Sequence, residues 1–230
     1  MTAGGPLLVV DTATTRALVV LGHPDGTPRA ERTWVAGYRH GEELLVRIEG
    51  LLRDESVATG DLGGLVVGTG PGAFTGLRVG LATVKALAHA LGISVVGVST
   101  GEALLAAADG GRRVLLQPAG PNDRVLTRAG EAPRILPGGE EPDLEPGETV
   151  VAVDLDDRAP VEAVAAGRSA HLALGAALLR AGATRLAAGD VDDLATLAPE
   201  YVTLPRGAGD APADGGVELS GTATAARGTR

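Results

Sequence analysis

The first half of the chain alternates between two hydrophobic periods. Short aliphatic runs have the length of buried strands, and they occur at residues 7–10, 17–21, 65–67 and 94–98. In residues 40–57 and 77–91, leucines instead recur three and four positions apart, as on the apolar face of an amphipathic helix. The pattern therefore predicts an antiparallel meander over residues 6–35, followed by alternating helices and strands.

The periodic signal weakens beyond residue 110. Three strands are predicted in this half, at residues 112–117, 124–128 and 149–155. Two helices follow, at residues 161–166 and 171–179. The Pro- and Glu-rich stretch 133–147 is expected to be an exposed loop, and residues 190–198 a turn or short helix. The Gly-, Ala- and Thr-rich stretch 207–230 has little to bury, so we expect it to be disordered.

A glycine-rich stretch, GTGPGAFTGLRVG at residues 68–80, joins a predicted strand to a predicted helix. Glycines let another group approach the backbone closely, and the free N–H groups at a helix start favour an anion. Thr75 is the residue expected to cap this helix. Alternatively, the glycines only allow the strand and the helix to pack tightly. The local pattern leaves both interpretations open.

Polar residues with candidate chemistry stand at the ends of predicted elements. Asp11 ends the first strand and is followed by hydroxyl residues, so its carboxylate either holds a metal-bound water or belongs to an ordinary turn. His40 precedes a helix, where a histidine is more often a polar cap or surface group than a metal ligand. Ser99 and Glu102 fit a capping box. On the helix over 77–91, basic residues share one face, which is either solvated or a contact site: Arg78, Lys85 and His89.

Composition excludes several kinds of site. The chain has no cysteine, so disulfides, thiolate metal sites and thiol nucleophiles are excluded. The net charge is −9 and only 2% of the residues are aromatic, which disfavours direct binding of nucleic acid. The apolar run at residues 7–10 is too short for a signal sequence or a membrane span, so we expect a soluble, cytoplasmic protein.

Common nucleotide and hydrolase motifs do not fit the glycine stretch. Residues 68–73 match G-x-G-x-x-A, but Val98 and Ser99 stand where a dinucleotide fold needs an acid after the next strand. A Walker loop needs Gly-Lys-Ser/Thr, whereas Gly76 is followed by Leu and Arg. The G-x-S-x-G elbow of serine hydrolases is missing from the sequence.

Four segments together resemble the TsaB (YeaZ) family of bacterial tRNA threonylcarbamoyladenosine synthesis. They are LVVDTAT at residues 8–14, GPGAFTGLRVG at 70–80, GVST at 97–100 and PEYV at 199–202. The order and spacing match over residues 6–105. The second half departs from the family, because DLDD at residues 154–157 replaces a glycine-bearing turn, and its acids disfavour a triphosphate.

The resemblance implies an α/β, actin-like ATPase (ASKHA, ribonuclease H-like) fold. It would have two lobes, at residues 1–108 and 109–206, with mixed β-sheets flanked by helices. Family members are thought to lack catalysis of their own and to pair with their paralogue TsaD, which transfers threonylcarbamoyl to the adenosine beside the anticodon, and with the ATPase TsaE. TsaD-type chains carry a metal-binding histidine pair where residues 101–105 here are GEALL.

We therefore expect a non-catalytic subunit that binds TsaD as a heterodimer, forms a homodimer when alone, and contacts tRNA only indirectly and no membrane. The expected partner-contact residues are His40, Leu44, Leu45, Ile48, Phe74, Arg78, Leu81 and Lys85. The candidate phosphate-binding residues are Asp11, Thr12, Gly70, Gly72, Thr75 and Gly76. We expect no metal site and no tightly bound cofactor. If ATP or ADP binds with Mg²⁺, we expect it at the interface with the partner. The alternatives are an ASKHA-type ATPase or phosphotransferase that uses Asp11, and an M22-like peptidase.

Overall fold

A computed structural model describes residues 4–36 and 40–202 of the chain. The side chains of residues 40–42 and the predicted tail at 207–230 lie outside the described residues. Two β-sheets and four α-helices make up the described part.

The first sheet has five strands in the order β3-β2-β1-β4-β5. Their bounds are β1 Leu7–Asp11, β2 Arg16–Gly22, β3 Pro28–Val35, β4 Gly64–Gly68 and β5 Val95–Val98. Strands β1, β2 and β3 form the predicted antiparallel meander, whereas β4 and β5 pair in parallel with β1 and with each other. Every residue of β1 and β4 is buried, because helices cover both faces of the sheet.

Helices α1 (His40–Asp54) and α2 (Phe74–Leu91) pack on one face of this sheet. Both were predicted from leucine spacing, and their buried leucines share one hydrophobic cluster with alternate residues of β1, β2 and β4. Helix α2 ends at Gly92, which adopts the left-handed conformation (φ 63°) that glycine tolerates best.

The second sheet has four strands in the order β8-β7-β6-β9. Their bounds are β6 Arg112–Ala119, β7 Asp123–Arg128, β8 Arg134–Leu136 and β9 Glu148–Ala152. The prediction of an uninterrupted loop over 133–147 is wrong, because β8 pairs with β7 there. The predicted strand at 149–155 is too long, since the chain turns at Asp154, whose φ is 60°.

Helices α3 (Thr100–Ala107) and α4 (Val161–Ala187) lie between the two sheets. The two helices predicted after β9 are one continuous helix, and Gly167 within it passes so close to β9 that a Cβ atom would stand 1.8 Å from the Ala152 carbonyl oxygen. One hydrophobic cluster joins α3 and α4 to residues of both sheets. This part of the hydrophobic core is therefore shared between the two sheets.

The described residues contain no helix that is both long and apolar enough to cross a membrane. The predicted α/β architecture of two mixed sheets flanked by helices is confirmed.

Candidate functional site

The candidate site is the junction between the β1–β2 loop and the glycine stretch. The backbone N–H of Ala73 donates to the Ala13 carbonyl oxygen over 2.7 Å. A Cβ atom on Gly72 would stand 2.1 Å from that same oxygen, so only glycine lets the two segments approach this closely. Gly72 therefore allows the glycine stretch to pack tightly against the β1–β2 loop.

Thr12 continues this junction along helix α2. Its hydroxyl donates to the Gly76 carbonyl oxygen over 2.7 Å and is buried. A Cβ atom on Gly80 would stand 2.3 Å from the Thr12 hydroxyl oxygen. The side chain of Thr12 is therefore held against the helix, and its one donor is already used.

Asp11 is completely buried beneath the junction. Its Oδ2 accepts a hydrogen bond from the Thr100 hydroxyl over 2.6 Å, and its Oδ1 accepts from the backbone N–H of Ala13 over 3.0 Å. Burial raises the pKa of Asp11, against the opposing effect of these two hydrogen bonds and of the nearby His171. A carboxylate in this position has no access to the solvent from which a metal-bound water would come.

The turn that begins the glycine stretch is tied to the start of α3. The backbone N–H of Gly70 donates to the Thr100 hydroxyl oxygen over 3.1 Å, and the Gly70 carbonyl accepts from the Ser99 hydroxyl and the Gly101 N–H. Thr100 thus connects Gly70 to Asp11. This role of Thr100 was not predicted from the sequence, where the residue was noted only as part of a family motif.

Two predicted helix caps need correction. Ala73, and not Thr75, is the N-cap of α2, because the helix begins at Phe74, two residues earlier than a threonine cap would require, and Thr75 is exposed. At α3, Ser99 accepts from the Glu102 N–H as predicted. The reciprocal half of the capping box is wrong, since Glu102 accepts instead from the backbone N–H of Gly130.

Above the junction, a cleft of about 370 Å³ lies between the β1–β2 loop, residues 71–74, the β6–β7 hairpin and residues 200–202. Gln117 is buried in its wall, where Nε2 donates to the Pro71 carbonyl oxygen over 3.2 Å. The lining contains Asp154 and Glu200 but no lysine, arginine or histidine. A cleft with carboxylates and without a cation is poorly suited to a phosphate chain.

The basic face of α2 holds a later segment of the same chain. The Arg78 Nε donates to the Tyr201 hydroxyl over 2.9 Å, and its guanidinium carbon lies 3.8 Å from the centre of the Phe74 ring. Lys85 donates to the Leu197 carbonyl oxygen over 3.1 Å. The rings of Phe74 and Tyr201 are 5.1 Å apart. Two of the predicted partner-contact cations, Arg78 and Lys85, therefore bind the segment around residues 197–201.

Burial corrects part of the predicted partner surface. The side chains of Leu44, Ile48 and Leu81 are in the hydrophobic core and present no surface. Leu45 is 54% exposed on α1, beside Val46, which is 65% exposed. His40 begins α1, but its side chain lies outside the described residues.

Within residues 4–36 and 40–202, no group of three or more acidic or histidine side chains is arranged to hold a metal ion. The nearby His171 is buried, and this burial lowers its pKa. The site as described is a packed junction of backbone and hydroxyl groups.

Comparison with known proteins places the chain in a family. A family model described as TsaD, tRNA N6-adenosine threonylcarbamoyltransferase, matches residues 34–154, just over half of the chain. Two curated proteins named tRNA threonylcarbamoyladenosine biosynthesis protein TsaB also match, from Escherichia coli at 33% identity over 94 residues and from Bacillus subtilis at 34% over 100 residues. The chain belongs to this family, and within it the chain is a TsaB (YeaZ) protein.

The curated matches are partial. The Escherichia coli match covers 41% of this chain and 40% of the relative, and the Bacillus subtilis match covers 44% and 43%. An uncharacterized protein of Mycobacterium tuberculosis is 42% identical over 100 residues, which cover 43% of this chain and 47% of that protein. The chain thus spans less than half the length of these curated relatives.

The fold extends further than the sequence match. A solved structure titled YeaZ from Pseudomonas aeruginosa superposes with a TM-score of 0.65 at 24% identity, over 86% of this chain and 99% of that chain. This likeness concerns the fold alone. It confirms the predicted α/β fold of two mixed sheets flanked by helices.

Proposed function

We propose that the chain is a non-catalytic subunit in tRNA threonylcarbamoyladenosine synthesis, which binds and stabilises a TsaD-type transferase. Membership of the family and the names of the Escherichia coli and Bacillus subtilis relatives support the pathway. The transfer of the threonylcarbamoyl group belongs to the partner in this proposal.

The observation that supports the non-catalytic role is that the Asp11 side chain is buried and has no contact with solvent. Catalysis by an acid requires that its carboxylate reach substrate, water or metal. Asp11 is fully buried. Its Oδ2 accepts a hydrogen bond from the Thr100 hydroxyl, and its Oδ1 accepts one from the Ala13 N–H. The proposal of an ATPase that uses Asp11 loses support for this reason. We propose that ATP or ADP with Mg²⁺ binds only at the interface with the partner.

The exposed side of α1 is the surface that best fits a partner helix. Leu45 and Val46 are neighbours on α1, and both are more than half exposed. Arg47 packs its guanidinium over Trp34 beside them. Apolar side chains rimmed by polar ones are typical of a protein interface. We propose that the same surface serves TsaD and, without it, a second copy of the chain.

Size-exclusion chromatography of the chain mixed with its cognate TsaD-type protein tests this proposal. We expect a heterodimer with the wild-type chain and none with Leu45→Glu, because a buried unpaired charge opposes association. Leu172→Glu is the matched control, since Leu172 is 82% exposed on α4 and outside the proposed surface. No heterodimer under any nucleotide condition would refute the proposed function, and loss of binding only with Leu172→Glu would refute the proposed surface.

A further inference from the structure

The cleft above the junction has a negatively charged lining. Its charged side chains are the carboxylates of Asp154 and Glu200, and the described part of the lining contains no cation. Arg78 contacts one wall by donating to the Tyr201 hydroxyl, but it is not among the lining residues. Apolar side chains form much of the remaining lining, among them Pro71, Phe74, Val125 and Val202. A lining of this kind favours a ligand with a positive charge and an apolar body.

Gln117 contributes an unused acceptor to the wall of this cleft. The residue is 2% exposed, and its Oε1 has no hydrogen-bond partner among the described residues. The amide has one sensible orientation, because Nε2 donates to the Pro71 carbonyl oxygen and an amide oxygen there would face a second acceptor. A buried amide oxygen without a donor is unfavourable, so a ligand that donates a hydrogen bond to it gains affinity.

The carboxylate of Glu200 is also incompletely satisfied. Its Oε2 accepts from the Ser99 hydroxyl over 3.1 Å, but the same hydroxyl oxygen lies 3.1 Å from the Gly70 carbonyl oxygen and has one proton for the two acceptors. No described residue donates to Oε1 of Glu200. Burial raises the pKa of Glu200, as expected for a carboxyl group that is partly removed from water without a cation beside it.

Asp154 adds a second negative charge to the cleft. Its Oδ2 accepts from the Thr15 N–H over 2.7 Å, and its Oδ1 accepts from the Thr15 hydroxyl. Both donors are neutral, so these hydrogen bonds hold the carboxylate in place without compensating its charge. The cleft therefore offers two carboxylates and one free amide oxygen to a ligand.

We propose that this cleft binds an alkylammonium group. An ammonium group has three N–H donors and no acceptor, which matches Glu200, Asp154 and the free Oε1 of Gln117 in number and type. The alkyl chain packs against the apolar part of the lining. The cleft volume of about 370 Å³ falls within the range of about 300–1,000 Å³ that is usual for small-molecule sites. The site belongs to this chain alone, so it does not depend on a TsaD-type partner.

An NMR titration of the whole chain tests this proposal. The probe is n-butylammonium chloride, followed by the backbone N–H signal of Gly72 in the cleft wall, with sodium chloride at the same concentrations as the reference. We expect a saturable shift, and at least tenfold weaker binding of n-butanol, which has the same alkyl chain without the charge. A second probe, Nα-acetyl-lysine methylamide, distinguishes the source of the group. Tighter binding than n-butylammonium identifies a lysine side chain, and weaker binding identifies a free amine.

Two variants with a matched control make the outcome specific. Glu200→Gln keeps the size of the side chain and an acceptor for the Ser99 hydroxyl but removes the charge, so it should bind n-butylammonium at least tenfold more weakly. Glu141→Gln makes the same change of charge at an exposed residue outside the cleft, and it should bind like the wild-type chain. Gln117→Met removes the free acceptor and should also weaken binding; it replaces Glu200→Gln if that variant fails to fold.

Three results would overturn the proposal. They are the absence of a saturable shift with n-butylammonium, equal binding of n-butylammonium and n-butanol, and equal binding by Glu200→Gln and Glu141→Gln. None of these results depends on whether the chain binds a TsaD-type protein, so they are separate from a failure of the proposed function.

Discussion

The hydroxyl oxygen of Thr12 lies 2.3 Å from the place that a Cβ atom on Gly80 would take. Helix α2 can approach the β1–β2 loop this closely only because residue 80 has no side chain. The same relationship is repeated at Gly72, where the neighbour is the Ala13 carbonyl oxygen. The glycine motif therefore sets the distance between α2 and the first sheet.

Gly80→Ala should destabilise the chain. Overpacking costs about 1–3 kcal/mol, which exceeds the gain of up to about 1 kcal/mol that alanine brings to a helix. Adding Thr12→Ala should recover part of the loss, because it removes the clashing oxygen. Urea unfolding measures both effects. Gly60→Ala is the control, since nothing lies within 4 Å of its Cβ position. Equal stability of Gly80→Ala and Gly60→Ala would contradict the packing role.

The buried carboxyl of Asp11 should give a distinct pH dependence. Its folded-state pKa is raised above the ordinary value of 3.8, so the folded chain keeps a proton that the unfolded chain has lost. As pH rises through that window, this group therefore lowers the free energy of unfolding. Asp11→Asn removes the titration, so the stability of the wild-type chain relative to this variant should fall with rising pH.

Urea unfolding at several pH values above about 4 measures this difference. Asp109→Asn, at an exposed aspartate, serves as the control. A constant difference between Asp11→Asn and the wild-type chain across the pH range would show that burial does not perturb Asp11.

The segment around residues 197–201 should loosen when its aromatic contact is removed. Tyr201→Ala loses the stacking on Phe74 and the hydrogen bond from Arg78, whereas Tyr201→Phe loses the hydrogen bond alone. Aromatic pairs contribute about 0.5–1.5 kcal/mol, so exchange of the Glu200 N–H, which donates to the Thr69 carbonyl oxygen, should be up to about tenfold faster in Tyr201→Ala. Hydrogen exchange that is equally slow in both variants would indicate that the segment is held elsewhere.

The elements of the first sheet and its two helices could be predicted because their signals are local. Each aliphatic run in β1, β2 and β4 is bounded by turn residues, and the leucine spacing of α1 and α2 matches one buried face. Strand β8 has only three residues, within a stretch rich in Pro and Glu, so it leaves no pattern. Helix α4 contacts both sheets and has apolar residues on several sides, which hides its helical period.

The candidate site could be located from the sequence, but its contacts could not. Asp11 and residues of the glycine motif were named as candidate phosphate-binding residues. Their partner Thr100 lies 89 positions from Asp11, and Asp154 lies 139 positions from Thr15. A pattern of neighbouring residues does not indicate contacts between positions so far apart in the sequence. The predicted interface included Leu44 and Ile48 because helical spacing indicates which residues share a face, and here that face is the core.

The most direct test of the proposed function is the amount of threonylcarbamoyladenosine in tRNA from a bacterial strain that lacks its own TsaB. The strain would produce this chain together with its cognate TsaD-type transferase, and mass spectrometry would quantify the modified nucleoside. We expect the wild-type chain and Leu172→Glu to restore the modification, and Leu45→Glu to fail. Absence of the nucleoside in the strain with the wild-type chain, when both proteins are present and folded, would contradict the account.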